Sequence, residues 1–184
     1  MLKHKFFSIV LVVVLMVGMP LLAQEEKEDT NPRSLIGEKV LEVKLPLVGG
    51  GEFDLSKHKG KDYVVLDFWA TWCPWCVKST AHFVERSEQY KDKNVAFYMV
   101  SVGEKMETVK KYMEKKGLKV NMAVDTDWKL SEYFKVDYIP HVAIIDKEGT
   151  IIAVDVGEDK IGPVMDEVLK KAFPDVKQIA EEKE

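Results

Sequence analysis

The residues best suited to chemistry in this chain are Cys73 and Cys76, its only two cysteines, in the run Cys73-Pro74-Trp75-Cys76. A cysteine pair can exchange disulfides, hold a metal or carry haem, and the setting decides between these. A zinc knuckle needs four ligands, which two cysteines do not supply. A c-type haem site needs histidine after the second cysteine, where Val77 stands. Redox exchange remains, and no further cysteine is left to build a structural disulfide framework.

The elements around the pair suit that chemistry. Val64-Val65-Leu66-Asp67-Phe68-Trp69-Ala70 is an apolar run broken by one acid, the pattern of a strand buried on both faces. The polar residues after Cys76 read as a helix. A helix N-terminus directs backbone N–H groups and the positive end of its dipole at Cys73, favouring the thiolate. The thiolate is the attacking species, so Cys73 is the expected nucleophile. Cys76, expected one turn into the helix, is placed to resolve a mixed disulfide on Cys73. Pro74 fits the first helical turn, where its missing N–H costs least. Trp72 and Trp75 flank the sulfurs and either offer apolar surface to a partner or shield the pair. Asp67 is costly to bury as an anion, so its pKa is expected to rise.

The run Trp69-Ala70-Thr71-Trp72-Cys73-Pro74-Trp75-Cys76 resembles the thioredoxin superfamily, and within it the TlpA/ResA type of extracytoplasmic thiol–disulfide oxidoreductase. The resemblance implies an α/β, thioredoxin-like fold: a central mixed β-sheet flanked by helices, with an N-terminal β-hairpin and a helix/strand insertion. It makes Asp67 the match of the buried thioredoxin acid that takes a proton from the resolving thiol, where many TlpA/ResA-like proteins carry Asn. It also matches Val136-Asp137-Tyr138-Ile139-Pro140 to the segment whose cis proline faces the cysteines. Ile139–Pro140 is therefore the expected cis bond, and Ile139, Pro140 and His141 join Trp72 and Trp75 as the expected partner-binding surface. His141 stands where the family usually has Thr. Its imidazole either lies beside the sulfurs and stabilises the thiolate, or faces away and caps the strand.

The rest of the chain is organised to hold this unit. Residues 1–23 read as an export signal, with basic Lys3, His4 and Lys5, an apolar run from Phe6 to Val17, and cleavage before Gln24. The rival reading is an uncleaved anchor spanning Phe6–Ala23. Residues 24–33 form a polar leader, 34–173 the thioredoxin-like domain, and 174–184 a polar tail expected to fray. A β-hairpin is expected across Gly49-Gly50-Gly51, with Val43 and Leu45 before it and Phe53 after. The helix from Val77 to Tyr90 is expected to bury Val77, Ala81, Val84 and Ser87, leaving His82 exposed. Asn94–Val102 reads as a buried strand, Glu104–Lys116 as a helix ended by Gly117, and Asn121–Val124 as a short strand. Thr150–Val156 is an edge strand. The final helix carries Ile161, Val164, Met165, Val168, Leu169 and Ala172 on one face, with Pro163 in its first turn. His58, in a Lys-His-Lys loop, is expected to be solvated.

Composition excludes some functions. Of 184 residues, 46% are hydrophobic and 32% charged, with a net charge of −4, so neither a disordered chain nor a nucleic-acid footprint is indicated. The leading expectation is exchange of disulfides with exported proteins, in the reducing direction, fed by a membrane or periplasmic thiol donor and needing no cofactor. An oxidant or isomerase uses the same residues, because Cys-Pro-Trp-Cys does not set the direction. A copper chaperone built from Cys73, Cys76 and His141 is the alternative from another class, since thiolates and imidazole suit copper.

Overall fold

The computed structural model describes residues 29–177. The expectations for 1–23, for the leader before Asp29 and for the tail beyond Lys177 lie outside the described residues.

The apolar run becomes β3 (Tyr63–Trp69), after a hairpin of β1 (Lys44–Pro46) and β2 (Glu52–Asp54). Next come α1 (Cys76–Gln89), β4 (Val95–Val102), α2 (Met106–Lys116), β5 (Met122–Asp125) and α3 (Lys129–Tyr133). The chain closes with β6 (His141–Ile145), β7 (Ile151–Val156) and α4 (Glu158–Ala172). The five-stranded sheet runs β5-β4-β3-β6-β7, parallel among β5, β4 and β3 and antiparallel across β6 and β7. As expected, β3 is the central strand and is buried on both faces.

Its side chains alternate between two cores. Val65 and Trp69 point to one face, packed with Cys76, Phe83 of α1, Val109 of α2, and Ile161, Met165 and Leu169 of α4. Val64, Leu66 and Phe68 point to the other, covered by Leu45 and Phe53 of the hairpin and Leu130 of α3. Fully burying each such side chain stabilises the fold by roughly 1.5–3 kcal/mol, which offsets the cost of the one acid in the strand. Gly117 ends α2 at φ 65°, a left-handed cap that only glycine adopts without strain. No helix among the described residues is long and apolar enough to cross a membrane.

Four local expectations need correction. In α1 the buried stripe is Cys76, Ser79, Phe83 and Arg86, while Val77 is exposed. The helix is rotated to turn Cys76 inward, and Arg86 is tolerated because it forms a two-pronged bond to Asp166 of α4, at 2.9 and 2.6 Å. His82 is half-buried, with Nδ1 3.2 Å from an Arg86 nitrogen. Pro163 lies in the second turn of α4, because the helix begins at Glu158. His58 is not solvated: its ring nitrogens lie 2.9 Å from Asp62 Oδ2 and 3.0 Å from the Tyr98 hydroxyl, which β4 delivers over the loop. The start of the tail is also held, by Lys93 paired to Asp175 at 2.5 Å and Gln89 bonded to the Lys177 carbonyl.

Candidate functional site

The Ala70–Cys73 turn follows β3 directly, closed by Cys73 N–H donating to the Ala70 carbonyl at 3.1 Å. It places the first cysteine just before α1, which starts at Cys76 with Trp75 as its cap. Cys76 is thus the first helical residue, not one turn inside. The two sulfurs are joined as a disulfide with a Cα–Cα distance of 5.4 Å. The Cys76 backbone N–H donates to Cys73 Sγ at 3.1 Å. That is the helix N-terminus acting on one sulfur, and it would stabilise negative charge there after reduction. Cys73 is 6% exposed and Cys76 1%, so the first cysteine is the more accessible of the two.

The opposite wall of the site is the loop before β6. Ile139–Pro140 is cis, and the Ile139 carbonyl lies 3.9 Å from Cys73 Sγ. Around the sulfurs stand aromatic rings in water: Trp72 at 67% and Trp75 at 64% exposed, with Tyr138 at 77% in the facing loop. The packed interior holds no such rings in solvent, so these are surface available to another molecule. Tyr138 went unmarked in the sequence, although its place two residues before Pro140 was a signal.

Asp67 points to the same sheet face as Val65 and Trp69, the face whose core includes Cys76. It is fully buried, and neither carboxyl oxygen has a hydrogen-bond partner. Burial alone pushes its pKa well above the ordinary carboxylate range.

His141 is placed differently from the expectation that it lies beside the sulfurs. It pairs with Phe68 across the strands and its ring packs edge-on to Phe68 at 5.4 Å. Phe68 belongs to the core on the face away from the cysteines, as do Ala143 and Ile145. Strand alternation carries His141 to that face. The ring is fully buried and neither nitrogen has a partner. Desolvation pushes its pKa down to about 4, with Asp155 opposing weakly, so the imidazole is neutral at physiological pH. His141 is therefore enclosed on the face away from the cysteines and uncharged at physiological pH, and among the described residues it does not group with Cys73 and Cys76 into a set that could hold a metal ion.

Glu104 was read in the sequence only as the start of α2. Its carboxylate reaches back to Thr71, in the turn that carries Cys73. An acid at the carboxyl end of a parallel strand, where sites in α/β sheets gather, was the signal that could have found it.

The Redoxin family matches residues 35–171 of the chain. The thiol-disulfide oxidoreductase ResA of Bacillus thuringiensis (strain Al Hakam) is 30% identical over 139 residues, covering 76% of this chain and 79% of the relative. ResA of Bacillus cereus is 29% identical over 174 residues, covering 91% and 96%. The structure is similar to the thioredoxin domain of a thiol-disulfide oxidoreductase from Bacteroides vulgatus, at 26% identity and a TM-score of 0.63, over 72% of this chain and 96% of that one. StoA from Bacillus subtilis shares the fold at 18% identity and a TM-score of 0.58, over 68% and 96%. Family match, relatives and fold converge with the chemistry of the cysteine pair: the chain belongs to the Redoxin family, as a TlpA/ResA-like thiol–disulfide oxidoreductase of the thioredoxin superfamily.

Proposed function

We propose that this oxidoreductase works outside the cytoplasm and reduces disulfides in exported proteins. In the reduced chain the Cys73 thiolate attacks one sulfur of the partner disulfide, and the other partner sulfur leaves as a thiolate. Cys76 gives its proton to ionised Asp67 and attacks Cys73 Sγ, releasing the second partner sulfur. The partner gains two electrons and the cysteine pair loses two, to be returned by a membrane or periplasmic thiol donor. Trp72, Trp75, Ile139 and Pro140 are the contact surface. The basic and apolar pattern of residues 1–23 supports the location, with either cleavage or anchoring at that segment.

The observation that carries the direction is His141. A cation beside Cys73 would favour the thiolate form and make the pair oxidising, and the imidazole that could supply it is neutral and on the other face. Equilibration of the full chain with glutathione or dithiothreitol tests this. The expected potential lies on the thioredoxin side, near about −270 mV, and a value near the ~−120 mV of a strong periplasmic oxidant would sink the reductase reading.

Asp67→Asn tests the proton acceptor. Release of mixed disulfides should slow at neutral pH, read by rapid quench of the partner exchange. The stability change has a defined sign. A carboxyl with a raised folded pKa contributes fully below its unfolded value of 3.8, and that stability is lost as pH rises towards the folded value. Asn does not titrate, so its advantage over Asp67 should be small at pH 4 and larger at pH 8 in urea unfolding. Equal profiles, with an unchanged release rate, would make Asp67 an ordinary solvated acid.

A further inference from the structure

Three loops meet at the carboxyl ends of the parallel strands β3, β4 and β5, and Glu104 joins them. Its Oε2 accepts from the Thr71 backbone N–H at 2.9 Å and from Ser101 Oγ at 2.7 Å, and its Oε1 accepts from Thr71 Oγ1 at 2.5 Å. Its own carbonyl accepts from Thr126 Oγ1, in the loop after β5, at 3.0 Å. The neighbouring Gly103 has φ +69° and lies under the Trp128 ring, where a Cβ would come within 2.3 Å of ring carbon. Gly103 N–H also donates to the Asp125 carbonyl at 3.0 Å. The backbone of Glu104 is therefore held by β5 and its following loop, while its side chain grips the turn after β3.

That grip falls on the segment that presents the reactive sulfur. Thr71 is the second residue of the Ala70–Cys73 turn, and both of its donors are tied to Glu104. The next residues are exposed Trp72 and then Cys73, whose sulfur takes the Cys76 N–H. Burying a carboxylate is costly unless its oxygens are hydrogen-bonded, and here three donors converge on one group. Ordinary helix capping does not explain the arrangement. The cap of α2 is Lys105, and Glu104 lies before it with its carboxylate aimed at the cysteine turn instead.

We infer that Glu104 is a positioning residue of the exchange reaction: through Thr71 it fixes the turn that keeps Cys73 Sγ under the Cys76 N–H and Trp72 turned outward. The inference rests on Cys73 being the attacking cysteine. Without the grip, Cys73 samples positions where its thiolate lacks that N–H. Exchange at neutral pH should slow and the Cys73 titration should move up.

The test uses the full chain, reduced, with the pH dependence of iodoacetamide alkylation for Cys73 and the second-order rate with a protein disulfide for exchange. Glu104→Ala should lower that rate about tenfold or more, the scale expected when bonds worth ~1.4 kcal/mol or more are lost from a positioned group. It should also raise the Cys73 alkylation midpoint. Glu104→Gln, which keeps an acceptor oxygen for Thr71, should recover most of both. Thr71→Val, which keeps the backbone bond and loses the hydroxyl, should show the same effects at smaller size. A folded Glu104→Ala chain with unchanged rate and midpoint, whatever its melting temperature, would overturn the inference. If that chain does not fold, unchanged values in Thr71→Val would overturn it. A Cys73→Ser control separates the two layers: alkylation that persists at the wild-type rate would refute Cys73 as the attacking thiol, not the role of Glu104.

Discussion

Cys73→Ser should reduce exchange to background, while Cys76→Ser should accumulate mixed disulfides with partner proteins, seen on non-reducing gels and by mass spectrometry. The asymmetry follows from where the two sulfurs sit. Cys73 is at the rim and receives the Cys76 backbone N–H at 3.1 Å, so its thiolate is both reachable and stabilised. Serine at that position has no accessible anion near neutral pH, and no first attack occurs. Cys76 lies behind it in the core with Phe83 and Met165, where no partner reaches. Losing Cys76 leaves the first attack intact and removes only the group that ends it. The mixed disulfide then persists until an external thiol cleaves it. If Cys73→Ser traps partners and Cys76→Ser does not, the two roles are reversed.

The site was legible in the sequence wherever one residue's chemistry determined its place. A strand of Val, Leu and Phe running into Cys-Pro-Trp-Cys could hardly be other than a central strand feeding a helix, and β3 and α1 are those elements. Asp67 stood out because an acid between Leu66 and Phe68 has no local way to stay in water. The hairpin and the insertion followed from turn and periodicity signals that the resemblance reinforced, while the cis bond at Pro140 rested on the resemblance alone, and all three are present here.

What stayed hidden depends on contacts between distant segments. The rotation of α1 follows from Cys76 facing the core and from Asp166, 80 positions after Arg86, making that arginine tolerable inside. His58 looked solvated until Tyr98 and Asp62 closed over it. Glu104 grips Thr71 across 33 positions, a pairing that no local pattern announces. His141 was open to two readings, because a one-residue change in strand parity moves a side chain from the cysteine face to the opposite core. Pairing with Phe68 settles its face.

His141→Leu should stabilise the protein most strongly in acid, with little effect on the redox potential. The imidazole is fully buried among apolar groups with both nitrogens unpaired, and leucine is an apolar side chain of similar bulk. At pH 7 the gain comes from removing an unsatisfied buried polar group, on the order of 1 kcal/mol. The acid term is larger and its sign is fixed by the direction of the shift. Desolvation depresses the folded pKa from 6.5 to about 4, with the Asp155 carboxylate only partly opposing it. The neutral ring's contribution is complete above pH 6.5 and is lost as pH falls towards about 4, because the unfolded chain takes up the proton first. At 1.36 kcal/mol per unit, the loss across that window is on the order of 3 kcal/mol, which is a large part of a domain's stability. Asp67 slopes the other way across the same window, losing stability as pH rises, so the His141 term is read as the difference between the variant and the wild-type chain at each pH. Denaturant midpoints at pH 4, 5.5 and 7 should show the excess stability of His141→Leu over the wild-type chain largest at pH 4 and smallest at pH 7. Its potential should move by far less than the ~30 mV that 1.4 kcal/mol of thiolate stabilisation would produce. A clear fall in potential, with the acid slope unchanged, would instead place a charged imidazole beside Cys73.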